Sequence, residues 1–99
     1  MKGNFDKIIN GDKPVLIDFH AEWCGPCKSL TPIIRDLANE INGKVRIIKI
    51  DVDKNQRIAQ IWNVRGVPTL VLFKNGKIVW RQSGVQTKQF LLNIINQNL

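Results

Sequence analysis

The 99-residue sequence predicts one α/β domain, spanning residues 1–99, with helices flanking a mixed sheet. Three observations predict it: short apolar runs that suit strands, apolar residues at helical spacing between them, and a tight-hairpin signal. The predicted helices cover residues 4–10, 28–42, 54–62 and a last segment after Thr87, and the predicted strands cover residues 15–19, 45–50, 69–73 and 77–81. Strands separated by helices are expected to pair in parallel, and the final hairpin must be antiparallel.

In the first half of the chain, the strand at 15–19 is a continuous apolar run that contains one acid, Asp18. Such a run is typical of a strand covered on both faces. The helix that follows has apolar residues at helical spacing, and Asn42-Gly43 is expected to end it. Pro32 lies inside this helix and is expected to kink it, because proline lacks the N–H that a helix needs.

In the second half, local signals define the turns and the helix ends. Asp53 with Gln56 three residues later resembles a capping box, which predicts the start of the third helix. Asn75-Gly76 is a strong hairpin signal and joins the last two strands. Thr87 is expected to cap the final helix. The residues expected to face inward from that helix are Phe90, Leu91, Ile94 and Ile95.

The charge balance is strongly basic, with 15 Lys and Arg against 8 Asp and Glu and a net charge of +7. The basic residues are scattered, and no RNA-binding aromatic motif accompanies them, which favours a solvated surface over nucleic-acid binding. A preference for acidic partners is the alternative. The sequence has neither a signal-peptide pattern nor an apolar stretch of membrane-spanning length, so a cytoplasmic protein without membrane partners is expected.

The two cysteines, Cys24 and Cys27, form a Cys-x-x-Cys pair between a predicted strand and a predicted helix. Zinc needs about four ligands, and His20 adds a third at most, so no metal site is expected. Haem attachment would need histidine where Lys28 stands. A static structural disulfide is not expected in a cytosolic chain. A redox-active dithiol fits the setting best.

The position of this pair explains how it would react. Cys24 is expected at the end of the strand and Cys27 in the first helical turn, where Gly25-Pro26 keeps the turn tight and starts the helix. A thiolate at Cys24 would be stabilised by the partial positive charge of the helix N-terminus. That thiolate attacks a substrate disulfide, and Cys27 then resolves the mixed disulfide.

The run from Asp18 to Lys28, with Trp23-Cys24-Gly25-Pro26-Cys27 inside it, resembles the active-site segment of the thioredoxin family. Gly66-Val67-Pro68-Thr69 and Phe73-Lys74-Asn75-Gly76 resemble further segments of that family, in the same order. The resemblance covers residues 14–99. It implies a thioredoxin-like three-layer sandwich.

The sequence departs from the family pattern at its N-terminus. Family members usually carry an extra strand before the one that holds Asp18, and the seventeen residues before Asp18 here hardly accommodate it. The sheet is therefore expected to have about four strands and to lack the usual first one. The strand at 45–50 would become an edge, where Arg46 and Lys49 discourage stray pairing.

The resemblance also implies roles for matching residues. Pro68 would be a cis proline beside the sulfurs, the backbone of Val67 would pair with an extended substrate, and Trp23 would cover the disulfide. Gly66 and Gly84 would allow close approach near the docking groove. The implied substrate-binding set is Trp23, Gly25, Pro26, Gly66, Val67, Pro68 and Gly84.

The implied catalytic set is Cys24, Cys27, Asp18 and Lys49. Asp18 would be a buried acid that takes the proton of Cys27, and burial would raise its pKa. The alternative is that Asp18 points outward or only accepts a hydrogen bond. Lys49 would lie partly buried near this acid. His20 is expected to be a half-exposed side chain near the site, with a catalytic or pH-sensing role as the alternative.

The resemblance implies an enzyme: a general protein thiol–disulfide oxidoreductase that reduces disulfides in target proteins. Its electrons would come from a thioredoxin reductase, a flavoprotein that uses NADPH, and the protein itself would need no bound cofactor. A monomer is expected. Two alternatives stay open, namely an oxidoreductase dedicated to a single partner, such as an acidic protein, and a binding module that serves as a structural subunit.

Overall fold

The computed structural model describes the backbone of residues 2–99 and the side chains of residues 4–99. Its elements follow the predicted order, with bounds within a few residues of the predicted ones. They are α1 (Lys2–Ile9), β1 (Val15–His20), α2 (Gly25–Ile41), β2 (Arg46–Asp51), α3 (Gln56–Ile61), β3 (Thr69–Lys74), β4 (Lys77–Ser83) and α4 (Lys88–Gln97).

The four strands form one mixed sheet in the order β2-β1-β3-β4. β1 pairs in parallel with β2, which places Asp18 beside Lys49. β1 also pairs with β3, and β3 with β4, both antiparallel. β1 and β3 are therefore central, and β2 is an edge strand, as the sequence predicts.

The direction of β3 differs from the parallel arrangement that the sequence predicts. α3 has six residues and so spans about 9 Å, whereas a six-residue strand spans about 20 Å. The helix in the connection after β2 is therefore too short to carry the chain back along the full length of a strand. The connection crosses to the far side of β1 instead, and β3 begins with Thr69 beside Phe19 and runs in the opposite direction.

Helices cover both faces of the sheet, which confirms the three-layer sandwich. α2 and α4 pack on one face, against a cluster that includes Leu16, Leu70 and Leu72. α1 and α3 pack on the other, against a cluster that includes Ile17, Phe19 and Phe73. β1 is buried on both sides, as its apolar run predicts.

Four predicted turn and cap residues adopt the expected conformations. Asn42 ends α2 with φ +47°, in the left-handed region that asparagine tolerates. Asn75 and Gly76 have φ +55° and +78°, as a tight hairpin of the primed type requires. The Thr87 hydroxyl accepts a hydrogen bond from the Phe90 N–H at 3.1 Å and so caps α4.

The predicted capping box at Asp53 is wrong. The residue before α3 is Asn55, whose side chain makes no capping hydrogen bond. Asp51 turns the chain instead, since its Oδ1 accepts from the N–H groups of Asp53 at 2.9 Å and Lys54 at 3.3 Å. An aspartate that closes this local turn competes with the cap two residues later.

The prediction that Phe90 faces inward is also wrong. Phe90 is 41% exposed, and its ring lies 6.0 Å from that of Trp80 in an edge-on arrangement. The buried stripe of α4 is formed by Leu91, Leu92 and Ile95. Phe90 therefore packs at the border of the core, beside the β4 edge of the sheet.

α2 is 17 residues long and runs through Pro32 without interruption. The Thr31 hydroxyl donates to the carbonyl of Cys27 at 3.2 Å, one turn earlier.

Within residues 2–99, none of the helices combines the length and the apolar character needed to cross a bilayer.

Arg81 ties the last strand to the short helix α3. Its guanidinium donates to the carbonyl oxygens of Trp62 at 2.5 Å and Asn63 at 2.7 Å. These carbonyls follow the last turn of α3, where a cation is favoured by the helix dipole. The end of α3 is thus held by a residue from the far edge of the sheet.

Candidate active site

Cys24 and Cys27 are joined in a disulfide, with their Cα atoms 5.3 Å apart. Cys24 lies beyond the end of β1, which stops at His20, so it does not end the strand as predicted. It is the residue that caps α2, and its Sγ accepts a hydrogen bond from the Cys27 N–H at 3.1 Å. Pro26 lies in the first turn, where a missing N–H costs nothing.

This position favours negative charge on the Cys24 sulfur. The free N–H groups at a helix N-terminus carry a partial positive charge, and one of them already points at Sγ. After reduction, the same N–H can donate to a thiolate. Cys24 is therefore suited to be the attacking sulfur and, equally, a stable leaving group.

The cysteines lie in a small apolar cluster. Cys24 is 3% exposed and Cys27 7% exposed, and both pack near Ala21, Val52 and Val67. Little of the disulfide is open to a partner. A target must therefore fit closely around it.

Trp23 is the most exposed large apolar side chain of the described residues, at 71%. Its indole Nε1 donates to Asp53 Oδ2 at 2.8 Å, which ties the active-site loop to the loop after β2. The sequence pattern assigned Asp53 to a helix cap and missed this contact. Nothing in the spacing of two residues thirty positions apart signals it.

The loop before β3 brings four of the predicted substrate-binding residues together. The Val67–Pro68 peptide is cis, and Pro68 is buried. The Gly84 N–H donates to the Pro68 carbonyl at 2.9 Å, which joins this loop to the end of β4. A Cβ at Gly66 or Gly84 would meet nothing within 4 Å, so the space above both glycines is open.

The buried hydroxyl of Thr69 holds this loop in place through hydrogen bonds. Thr69 is 1% exposed, and its hydroxyl donates to the Gly66 carbonyl at 2.7 Å. The Ser83 hydroxyl lies 3.1 Å away, and it must be the donor because the single Thr69 proton is already used. The sequence pattern indicates no such role for Thr69, although this residue follows Pro68 in the motif.

A shallow groove of about 80 Å³ lies between Trp23 and this loop. The residues that line it are Trp23, Val52, Val64, Arg65, Gly66 and Val67. The lining is largely apolar, with backbone at Gly66 and one exposed cation at Arg65. The groove can therefore take an extended peptide segment next to the disulfide.

Asp18 is buried in the centre of β1, not turned outward. It is 2% exposed, and its Oδ1 has no hydrogen-bond partner among the described residues. Burial raises the pKa of this carboxyl, and the positive charges of Lys49 and His20 oppose that rise. By strand alternation Asp18 faces the same side as Leu16, the side on which α2 and Cys27 lie.

Lys49 is exposed, so the prediction of a partly buried lysine is wrong. Its Cα is the β2 partner of Asp18, which keeps its charge close enough to lower the pKa of that carboxyl. Because β2 is an edge strand, the long side chain can extend past the sheet into solvent.

A cavity of about 270 Å³ opens beside Cys27. Its lining residues are His20, Ala21, Glu22, Cys27, Lys28, Thr31 and Lys49. His20 is half-buried there, at the end of β1. Among the described residues, no three of His, Cys, Asp and Glu come together as a metal site requires.

A protein-family model described as Thioredoxin matches residues 1–97. The chain belongs to the thioredoxin family. It is 48% identical to the thioredoxin of Haemophilus influenzae, over 93% of this chain and 86% of that one. It is 45% identical to the thioredoxin of Rickettsia felis, over 94% and 89%, and 48% identical to that of Chlamydia pneumoniae, over 96% and 91%.

Solved structures agree with the fold. A mutant thioredoxin from Halobacterium salinarum is 40% identical, with a TM-score of 0.88 over 99% of this chain and 85% of that one. The thioredoxin of Fasciola hepatica is 36% identical, also with a TM-score of 0.88, over 98% and 93%. Membership of this family, with the Cys24–Cys27 pair in place, makes the chain a thioredoxin-type thiol–disulfide oxidoreductase whose substrates contain disulfides.

Proposed function

We propose that this thioredoxin-family protein is a general reductant of disulfides in other proteins, and that its residues 1–99 act as one domain. The observation that carries the proposal is the Cys24 sulfur at the N-terminus of α2, hydrogen-bonded to the Cys27 N–H and bonded to the Cys27 sulfur. This arrangement stabilises a thiolate and provides the second thiol that completes the exchange.

The reaction has two exchange steps. In the reduced protein, the Cys24 thiolate attacks one sulfur of the target disulfide, and the other target sulfur leaves as a thiolate. Cys27 then loses its proton and attacks Cys24 Sγ, which expels the second target sulfur. Two electrons pass to the target, its two thiolates take up protons, and the Cys24–Cys27 disulfide described above remains.

Asp18 is the proposed acceptor of the Cys27 proton. Its burial and raised pKa support this role, because a base works best when its pKa lies near the operating pH. The same carboxyl, once protonated, can return a proton when the disulfide is reduced again. Lys49 assists by favouring the ionised carboxylate from the neighbouring strand.

The groove is the proposed docking site. An extended segment of the target would pair with the backbone of Val67 and cover Gly66 and Gly84, whose open space leaves room for it. Trp23 would supply apolar contact from the opposite wall, and Gly25-Pro26 would lie under the segment. Exposed aromatic surface of this kind is characteristic of protein contacts.

The remaining partner assignments follow from a reducing role. A thioredoxin reductase, an NADPH-dependent flavoprotein, is the proposed electron donor, and the cytoplasm is the proposed compartment because its thiol pool keeps such a dithiol reduced. The protein is proposed to act as a monomer. The charged side chains Arg46 and Lys49 on the β2 edge disfavour pairing of two copies.

Reduction of insulin by dithiothreitol, followed by turbidity, tests the proposal. We expect Cys24→Ser to abolish the acceleration over dithiothreitol alone. Reduced Cys27→Ser, incubated with insulin after dithiothreitol is removed, should form a mixed disulfide that mass spectrometry detects, because Cys24 attacks and no second thiol resolves the product. Acceleration by the Cys24→Ser/Cys27→Ser double variant would overturn the reductase and favour a binding module.

A further inference from the structure

His20 shares a face of the sheet with Asp18. The two residues are two positions apart on β1, and side chains at that spacing point to the same side of a strand. His20 is half-buried at the strand end and lines the cavity beside Cys27, whereas Asp18 is buried further in. Both residues therefore lie on the face of the sheet that α2 covers, and His20 is the one of the two that lines the cavity.

Asp18 has few groups with which to exchange a proton. Its Oδ1 has no hydrogen-bond partner among the described side chains, and its β3 neighbour is the apolar Leu70. The charged groups that line the cavity with His20 are Lys49 from β2, Lys28 from α2 and Glu22 from the loop between β1 and α2. Glu22 is turned toward Lys54, at 3.5 Å.

We propose that His20 is a positioning residue that acts through Asp18, and that its protonated imidazole holds Asp18 in the ionised form that accepts the Cys27 proton. The inference rests on the proposed role of Asp18. It follows from the cavity that joins His20, Cys27 and Lys49, and from the side of β1 that His20 and Asp18 share.

His20 and Lys49 would act over different pH ranges. The positive charge of His20 lowers the pKa of Asp18 and so favours the carboxylate, as the charge of Lys49 does. Lysine keeps its charge through neutral pH, whereas histidine is the side chain that gains charge between about pH 8 and pH 5. The pH dependence of the reaction can therefore separate the effect of the imidazole from that of the lysine.

The test is the pH profile of target reduction by the full chain, measured under single-turnover conditions from about pH 5 to pH 8, where histidine titrates. We expect His20→Gln to match the wild type at the alkaline end and to become severalfold slower below it, so that the acid limb moves to higher pH. Arg57→Gln, which removes an exposed cation from α3 outside the cavity, should leave the profile unchanged.

The Asp18→Asn background separates the two proposals. If His20 acts through Asp18, Asp18→Asn slows the reaction and His20→Gln has no further effect in that background. A superimposable His20→Gln profile, or a shift that persists with Asp18→Asn, overturns the role of His20 and leaves that of Asp18 standing. An Asp18→Asn protein with wild-type rates overturns both.

A second measurement does not depend on turnover. The carbon resonance of the Asp18 carboxyl can be titrated by NMR in the folded reduced protein, with and without His20→Gln. We expect its midpoint to move to higher pH in the variant, because one favourable positive charge is lost. An unchanged midpoint contradicts the inference.

Discussion

The two faces of β1 differ in chemistry although they belong to the same six residues. One face carries Ile17 and Phe19 into a cluster with Phe73, built of apolar and aromatic side chains. The other carries Leu16, the buried carboxyl of Asp18 and the half-buried His20 toward α2. The difference shows how a small domain can bury an ionisable group for chemistry. The apolar packing on the opposite face stabilises the fold and does not depend on that group.

The largest expected effect is on the aromatic face. Phe73 is fully buried, with its ring 5.0 Å from Trp62 and 5.9 Å from Phe5. We expect Phe73→Ala to lower the free energy of unfolding by about 3–5 kcal/mol, because it removes a large side chain and leaves a cavity. Urea denaturation measures the loss. Phe90→Ala is the control, since Phe90 is exposed, and a comparable loss there would contradict the comparison.

On the opposite face, replacing the charge should raise stability. The folded-state pKa of Asp18 is above its unfolded value because burial penalises the carboxylate. Below the unfolded pKa the carboxyl is neutral in both states and the penalty is absent. As pH rises toward the folded value the penalty grows, and above both values it is complete.

Asp18→Asn should therefore raise the free energy of unfolding at pH 7 by about 1–3 kcal/mol, the range for one unpaired buried polar group. The gain should shrink as the pH falls toward about 4, the unfolded carboxyl pKa. Disulfide reduction should slow by about 10²-fold, a typical contribution of a general base. Denaturation at several pH values checks this against Asp12→Asn, an exposed carboxylate. A variant that unfolds more easily than the wild type at pH 7 would contradict it.

The groove depends on a buried hydroxyl on β3. Thr69→Val keeps the shape of the side chain but loses the bonds to the Gly66 carbonyl and to Ser83. We expect a stability loss of about 1–2 kcal/mol and a higher KM for protein targets, because the Gly66 carbonyl loses the hydrogen bond that holds this loop. Ser83→Ala removes one bond and should cost less. Equal losses in the two variants would show that the Gly66 bond contributes nothing.

The smallest effect is expected at the cap of α4, remote from the disulfide. Thr87→Ala removes the acceptor for the Phe90 N–H and should cost about 1 kcal/mol. Thr87→Ser should restore most of it. Thermal unfolding measures both, and disulfide reduction by the folded variants should be unchanged. A change in that rate would show that α4 reaches the site.

Sequence patterns predict the features that neighbouring residues decide. The Asn75-Gly76 turn, the end of α2 at Asn42 and the cap at Thr87 each depend on local backbone preference, and all are confirmed. The two-sided burial of β1 follows from its own composition. The family motif identified the cysteines and the loop with the cis proline because each motif is a short contiguous run.

The features that the sequence missed depend on distances across the fold. The direction of β3 depends on where the connection after β2 crosses the sheet, and the exposure of Lys49 depends on the edge position of β2. The contact between Trp23 and Asp53 joins loops from different parts of the chain. Asp51 and Asp53 can each accept hydrogen bonds from nearby N–H groups, and the residue spacing does not show which of the two aspartates does so.

The guanidinium of Arg81 has a consequence for the order in which the chain assembles. A helix as short as α3 is not stable by itself, and the two carbonyls that follow its last turn are held by a strand that the ribosome makes later. The loop around Pro68 is likewise fastened by Ser83 and Gly84. The cysteines are synthesised more than fifty residues before Arg81, Ser83 and Gly84. A nascent chain therefore carries both thiols before the hydrogen bonds that shape the docking groove can form, so the groove cannot yet select which disulfides react with them.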